Sequence, residues 1–128
     1  MIHFLTLSEV LTILQHQIRD FGGIYGVRDL GLLSSAIYMP ESGFNGEYFH
    51  KTIPSMAAAY AFHICQNHPF IDGNKRTALT SSLSFLDINK YTFNYKEKTA
   101  YKKIMKVAIG ELKKRELIRY YETHSTKK

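Results

Sequence analysis

The chain has 128 residues, of which 45% are hydrophobic, and it carries a formal net charge of +6. This length is enough for one domain with its own core. No apolar run approaches the ~20 residues of a membrane-spanning helix. The first ten residues lack the basic segment and the unbroken apolar stretch of a secretory signal. The sequence therefore predicts a single domain over residues 1–128 of a cytoplasmic protein, with no membrane partner.

The excess positive charge comes from 17 Lys and Arg against 11 Asp and Glu. It favours a polyanionic partner without selecting one. The cations are concentrated after Lys96, where a solvated helix face explains most of them. The single cysteine, Cys65, excludes an internal disulfide, and no Cys/His spacing is typical of a structural zinc site.

The N-terminal third predicts two helices. Thr6 and Glu9 form a capping-box pattern ahead of apolar residues at helical spacing, which predicts a first helix over 7–20. The FGG stretch at 21–23 should end this helix, because glycine adopts the left-handed geometry of a helix terminus. Asp29 is placed to cap a second, shorter helix.

Proline and glycine divide the middle of the chain. Pro40 disfavours helical geometry in the residue before it, so the second helix should end near that point. Residues 41–51 lack apolar periodicity and contain two glycines, so we expect a loop with a small hairpin. A third helix should then run over 52–67, with a proline tolerated in its first turn.

The second half predicts a central helix and a helical C-terminal region. Leucines at 79, 83 and 86 share one stripe, which predicts a helix over 74–88 with packing on both sides. A turn and an extended stretch over 91–93 should follow. The remaining residues return to helical spacing, and Gly110 should divide them into two helices. Together these elements predict an all-α bundle of five to seven helices.

The stretch HPFIDGNKR, residues 68–76, forms the turn between the third and the central helix. The start of a helix exposes unpaired N–H groups and attracts anions. Gly73 lets the backbone approach a ligand closely. Lys75 and Arg76 lie in the first helical turn, where the helix dipole disfavours cations unless a negative ligand offsets them. This arrangement predicts a bound phosphate.

The same turn carries the groups that phosphate transfer requires. Asp72 offers oxygen ligands to Mg²⁺, which binds through one or two carboxylates while phosphates supply further ligands. His68 is the natural base for an attacking hydroxyl, because histidine exchanges protons near neutral pH. Base, metal ligand and phosphate clamp therefore converge in one short turn.

HPFIDGNKRTA resembles the signature of the Fic/Doc family, written H-x-F-x-(D/E)-(G/A)-N-(G/K)-R, and matches it at every fixed position. The TLSEV opening and the RDLGLLSSA stretch at 28–36 are similar to death-on-curing (Doc-type) members. The resemblance implies a Fic-like helical fold, Mg²⁺ on Asp72 and ATP as co-substrate. The implied catalytic residues are His68, Asp72, Lys75 and Arg76. The residues implied to bind the nucleotide phosphates are Gly73, Asn74, Lys75 and Arg76.

Lys75 and Leu79 depart from the pattern of most family members, which transfer AMP and have glycine and a second arginine at these positions. Doc-type toxins share the lysine, and in them the nucleotide is thought to lie in the opposite sense, so that the terminal phosphate is transferred. The resemblance thus implies a toxin that phosphorylates a target protein, such as a translation elongation factor, and is restrained by an antitoxin. AMP transfer is the alternative, because Gly73 departs from the alanine often found in Doc itself.

Two further expectations follow from the resemblance. The loop from Gly43 to Lys51 lies where the family has a flap that holds a substrate segment by strand addition. The candidates for docking the target there are Phe44, Tyr48 and Phe49. None of the seven glutamates has the Ser/Thr-x-x-x-Glu-Gly/Asn context of the inhibitory helix in self-restrained members. Restraint is therefore expected from another chain.

Several residues near the motif also have simple structural interpretations. A hydrogen-bonded core histidine is the favoured reading of His63, ahead of a second metal ligand beside His68. A buried free thiol is favoured for Cys65, ahead of a nucleophile. Arg28 and Asp29 are expected to cap the second helix.

Two other classes of function compete with the transferase. A ribonuclease could use His68 as base, with Lys75 and Arg76 on the scissile phosphate. However, the sequence places no obvious second histidine for acid/base catalysis, and its aromatic residues are not interleaved with the basic ones. Nucleic acid is therefore disfavoured as substrate. A binding module without turnover is disfavoured by the intact base and metal carboxylate.

Overall fold

Six α-helices and two small antiparallel sheets make up the computed structural model of the protein, which describes residues 1–128. The helices are α1 (Leu7–Phe21), α2 (Leu30–Tyr38), α3 (Ile53–Asn67), α4 (Asn74–Ile88), α5 (Glu97–Ala108) and α6 (Lys114–His124). The strands are β1 (Gly43–Phe44), β2 (Glu47–Tyr48), β3 (Tyr91–Phe93) and β4 (Ser125–Lys127). The predicted all-α bundle of five to seven helices with a small hairpin is confirmed.

Side-chain caps account for where the first three helices begin. The Thr6 hydroxyl accepts from the backbone N–H of Glu9, whose carboxylate accepts from Thr6 in return. The Asp29 carboxylate accepts from the backbone N–H of Leu32 at 2.9 Å, so its predicted capping of α2 is confirmed. Thr52 caps α3 in the same way. These contacts satisfy N–H groups that a helix leaves unpaired at its start.

Helices α3 and α4 form the centre of the bundle. α3 packs against α2, α4, α5 and α6, while α4 packs against α1, α3 and α5. A close approach to α3 is possible because four alanines contribute only a methyl group each to the core. These fully buried alanines are Ala57, Ala58, Ala59 and Ala61. The short connection between α3 and α4 therefore lies on rigid, buried elements.

The C-terminal strand was missed by the sequence analysis. The extended stretch predicted at 91–93 is present as β3, and its partner is β4 at the end of the chain. Beside this sheet, Tyr121 stacks on Phe93 at 4.8 Å between ring centroids and shares a buried 2.6 Å hydrogen bond with Ser82. The final residues thus hold α6 against α4. None of the six helices combines the length and the apolar character needed to cross a membrane.

Candidate active site

His68 follows the last residue of α3 and adopts a left-handed backbone conformation, with φ 49° and ψ 53°. Its backbone N–H still donates to the carbonyl of Ile64 at 3.2 Å, so the residue ends the helix. The side chain is exposed, and its Nε2 lies 3.4 Å from Nδ2 of Asn74. An exposed imidazole at a fixed helix end is accessible to an incoming hydroxyl group.

The turn after His68 is anchored by Phe70, which is fully buried. Asn74 holds the backbone of Phe70 from both sides, because its Oδ1 accepts from the N–H at 2.9 Å and its Nδ2 donates to the carbonyl at 3.0 Å. Asn74 was predicted to bind phosphate, but its side chain is already used to hold the turn in shape. Its backbone N–H is the group left for an anion.

The start of α4 offers three unpaired N–H groups, those of Asn74, Lys75 and Arg76, since the first helical bond runs from Thr77 to the carbonyl of Gly73. Gly73 precedes them in the left-handed region, at φ 80°. A side chain there would be strained, and a Cβ would also lie 3.3 Å from Ile18 and from Leu14. Unpaired N–H groups and the helix dipole together favour an anion at this point.

A cavity of about 320 Å³ lies in front of this helix start. Motif residues form one wall, and the end of α1 and one residue of α5 form the rest. The lining residues are Gln17, Phe21, Gly22, Gly23, Asp72, Gly73, Asn74, Lys75, Arg76 and Tyr101. The structure thus brings five of the predicted site residues around one space. His68 does not line the cavity, and its contact with Asn74 connects it to the cavity edge.

The two cations of the motif, Lys75 and Arg76, form no ion pair with a carboxylate. The guanidinium carbon of Arg76 lies 3.8 Å from the ring centroid of Phe21 and 5.0 Å from that of Tyr101. Aromatic faces attract a cation without neutralising it. Both positive charges therefore remain free for a ligand in the cavity.

Asp72 is the only carboxylate that lines this cavity. One of its oxygens accepts from the backbone N–H of Ile24 at 2.8 Å, and the other has no hydrogen-bond partner. The carboxylate can approach the loop because residue 23 is a glycine, at φ 110°. A Cβ added at this position would lie only 3.0 Å from the Cβ of Asp72. One free carboxylate oxygen beside a phosphate site fits Mg²⁺, which takes its other ligands from phosphates and water.

The glycines at 22 and 23 were interpreted only as the end of the first helix. Gly22 does end α1, where its N–H donates to the carbonyl of Ile18 at 2.8 Å. Both glycines also line the cavity, and the backbone after them binds Asp72. A single glycine is enough to end a helix. The second glycine in the sequence was therefore a signal that this loop has another role.

A second cavity of about 630 Å³ adjoins the first and lies between α1, α4 and α5. The two cavities share Gln17, Phe21, Arg76 and Tyr101. The larger one has apolar and aromatic walls that include Leu79, Leu83 and Tyr95. Leu79 is 7% exposed, so an apolar residue occupies this part of the wall.

The small hairpin predicted within residues 41–51 is present as β1–β2, with Gly43 opposite Tyr48 and Phe44 opposite Glu47. Phe44 and the following Phe49 are 70% and 64% exposed. Tyr48 is partly covered by the edge of the Phe4 ring, at 5.5 Å between centroids. Exposed aromatics on a two-stranded hairpin suit the docking of an extended segment, and this role of the three residues stays a prediction.

Arg28 does not cap α2 as predicted. Its Nε donates to the carbonyl of His68 at 2.8 Å and its terminal nitrogen to the carbonyl of Asn67 at 3.1 Å. Arg28 therefore binds the end of α3, some 40 residues away along the chain. A positive side chain is favourable there because the carbonyl end of a helix is negative.

Cys65 and His63 line neither of the two cavities. The Cys65 thiol is buried against the carbonyl of Ile104, and burial raises its pKa to about 11, which argues against a nucleophile. His63 is partly buried, but its Nε2 has no hydrogen-bond partner, so the prediction of a hydrogen-bonded core histidine is wrong for that nitrogen. The fold contains no group of three His, Cys, Asp or Glu side chains that could hold a metal ion.

The stability of the fold is expected to decrease below neutral pH. Burial lowers the pKa of His50 and of His63 to about 4, and the positive charge of Lys114 adds to both shifts. Histidine in an unfolded chain titrates near ~6.5, so between that pH and about 4 the unfolded state binds more protons than the folded state. Urea unfolding should show a free energy of unfolding lower by on the order of 2 kcal/mol at pH 5 than at pH 7.

His63→Gln should remove part of this pH dependence. His16→Gln, at an exposed position on α1, is the matched control and should leave the profile unchanged. A free energy of unfolding that stays constant from pH 7 to pH 5 would contradict the assignment.

The free helix start, the two unpaired cations and the carboxylate define a class of protein: a helical bundle with one turn that is suited to an anion. Comparison with known proteins agrees with this class: a model described as the Fic/DOC family matches residues 4–86, more than half of the chain. The chain belongs to the Fic/Doc family.

A curated relative is similar to part of the chain. Toxin Doc of Mycolicibacterium smegmatis is 41% identical over 69 residues, which cover 54% of this chain and 53% of that protein. The chain thus spans about half the length of the curated relative that it matches.

Proposed function

We propose that the protein transfers the terminal phosphate of ATP to a hydroxyl group of a target protein. The observation that carries this proposal is the convergence of three unpaired N–H groups, two unpaired cations and one free carboxylate oxygen on a single cavity. Phosphate transfer depends mainly on positioning and on stabilising negative charge, which is what these groups supply.

Each motif residue has a role in this proposal. The N–H groups at the start of α4, with Lys75 and Arg76, bind the phosphates. Asp72 would hold Mg²⁺, and the bound metal would neutralise part of the negative charge of the phosphates. His68 takes the proton from the attacking hydroxyl of the target as that oxygen bonds to the γ phosphorus, while the bond from this phosphorus to the bridging oxygen breaks and ADP leaves. The exposed position of His68 supports a protein as the acceptor, because a macromolecular hydroxyl must reach the imidazole from solvent.

The side chains at 75 and 79 support transfer of phosphate rather than AMP. Lys75 lines the smaller cavity, so it takes space that a glycine would leave open, and it adds a charge. Leu79 gives the adjoining cavity an apolar wall in place of an arginine. Gly73, which favoured AMP transfer, has a local explanation: its positive φ and the nearby Ile18 side chain leave little room for a Cβ.

The partners in this proposal follow from the family and from the relative named Toxin Doc. A toxin of this kind would act in the cytoplasm on a protein such as a translation elongation factor. An antitoxin would restrain it, since the sequence lacks the inhibitory-helix pattern. The exposed hairpin aromatics Phe44, Tyr48 and Phe49 are the proposed contacts for the target segment.

The test is the fate of the two labelled phosphorus atoms. The purified protein is incubated with cell extract, Mg²⁺ and ATP labelled at either the α or the γ phosphorus. Label in protein from γ alone is the expected result. Label from α would replace phosphate transfer by AMP transfer, and degradation of RNA without protein labelling would support a ribonuclease instead.

A further inference from the structure

The backbone of His68 lies in the left-handed region, which residues other than glycine seldom adopt. This region is unfavourable for a residue with a Cβ, because the Cβ approaches the following carbonyl oxygen. The direction of the imidazole therefore depends on contacts that keep φ at 49° and ψ at 53°. Asn74 touches the ring, but it does not contact the backbone of His68.

Arg28 supplies such a contact. Its guanidinium spans two consecutive carbonyls at the end of α3, with one nitrogen on the carbonyl of His68, which follows the helix, and another on that of Asn67, its last residue. The planar group has donors in a fixed arrangement, so two carbonyls bound at once restrict the rotation of the peptide between them. The contact fixes the residue that carries the imidazole.

The segment around Arg28 is itself tied to the same turn. The backbone N–H groups of Arg28 and Asp29 both donate to the carbonyl of Pro69, at 2.7 and 3.2 Å. Val27 pairs with Phe70, and the N–H of Ile71 donates to the carbonyl of Gly26 at 3.0 Å. Arg28 therefore reaches the His68 carbonyl from a backbone that is already aligned with the turn.

Arg28 has no competing role in the structure. It lines neither of the two adjoining cavities, so it does not face the phosphate site. It forms no ion pair with a carboxylate. Although the side chain is exposed, both of its hydrogen bonds go to the end of α3.

We infer that Arg28 is a positioning residue: it aims the His68 imidazole at the attacking hydroxyl without touching the nucleotide. This inference rests on the proposed function for its kinetic consequence. It predicts an effect on the rate of transfer and none on ATP binding. It also predicts that lysine cannot replace the arginine, because a single ammonium group lacks the planar pair of donors.

The kinetic test compares Arg28→Met and Arg28→Lys with the wild-type protein. Both variants should lower kcat by about 10- to 100-fold, the scale expected when a reacting group is displaced by about 1 Å. The KM and the calorimetric Kd for ATP should stay at the wild-type values. Arg119→Met, at an exposed arginine on α6 without a hydrogen bond, is the matched control and should keep the wild-type kcat.

The second readout does not depend on catalysis. Hydrogen exchange of the amides of Arg28, Asp29 and Ile71 should be faster in Arg28→Met, while the amides in the middle of α3 stay protected. If the wild-type protein transferred nothing from ATP, the proposed function would fail and this measurement would still test the contact. A wild-type kcat in Arg28→Met, full recovery by lysine, or unchanged exchange would each overturn the inference.

Discussion

Replacing His68 by alanine should lower the rate constant of transfer from ATP by about 10²- to 10⁴-fold, the usual contribution of a positioned general base. Two other histidines, His50 and His63, are poor substitutes for it, because burial lowers the pKa of both. The variant should bind ATP normally, since His68 does not line the phosphate cavity. Rate measurements at saturating ATP, with calorimetry of ATP binding, check both statements.

His16→Ala is the matched control for this substitution. His16 is an exposed histidine on α1, and it makes no hydrogen bond to the motif. This control should keep the wild-type rate. A His68→Ala protein that transfers label as fast as the wild type would show that the base is elsewhere.

The second large effect is expected for Asp72→Asn. The asparagine retains the size of the side chain and an oxygen that can accept from the backbone N–H of Ile24. It loses the negative charge that makes the free oxygen a ligand for Mg²⁺. We expect kcat/KM at physiological Mg²⁺ to fall by about 10²- to 10³-fold, as when one charge-stabilising group is removed from an active site.

A titration of ATP binding against Mg²⁺ separates this effect from misfolding. The wild-type protein should bind ATP more tightly as Mg²⁺ is added, and Asp72→Asn should lose most of that dependence at an unchanged melting temperature. Asp87→Asn removes an exposed carboxylate that pairs with Lys128, and it should behave as the wild type. An equal Mg²⁺ dependence in Asp72→Asn and the wild type would rule out Asp72 as the metal ligand.

The sequence predicted the helix boundaries well where local chemistry determines them. The capping residues Thr6, Asp29 and Thr52 each act within three residues along the chain, so their effect is visible in the sequence. The strand β4 was missed because STK has no apolar alternation, and its conformation comes from pairing with β3, more than 30 residues earlier. Such pairing depends on the packing of α6, which a local pattern does not contain.

The candidate site also has one part that local sequence predicts and another that depends on the packing of distant elements. Residues 72–76 were predicted together because they are contiguous and begin one helix. The rest of the cavity comes from Phe21 and Tyr101, which only the packing of α1 and α5 against α4 brings close to Arg76. Arg28 was misassigned for a similar reason. Its neighbour Asp29 does cap α2, and the contact to α3 spans about 40 residues.

Arg76 forms part of the wall of both cavities, with its guanidinium between the rings of Phe21 and Tyr101. A molecule in the larger space and one in the smaller space would therefore both lie against this side chain. If an occupant of one space shifts the Arg76 guanidinium, the two spaces are thermodynamically linked, and by reciprocity each occupant then alters the affinity for the other by the same factor. A regulator would not need to reach His68 in order to change how strongly the nucleotide is held.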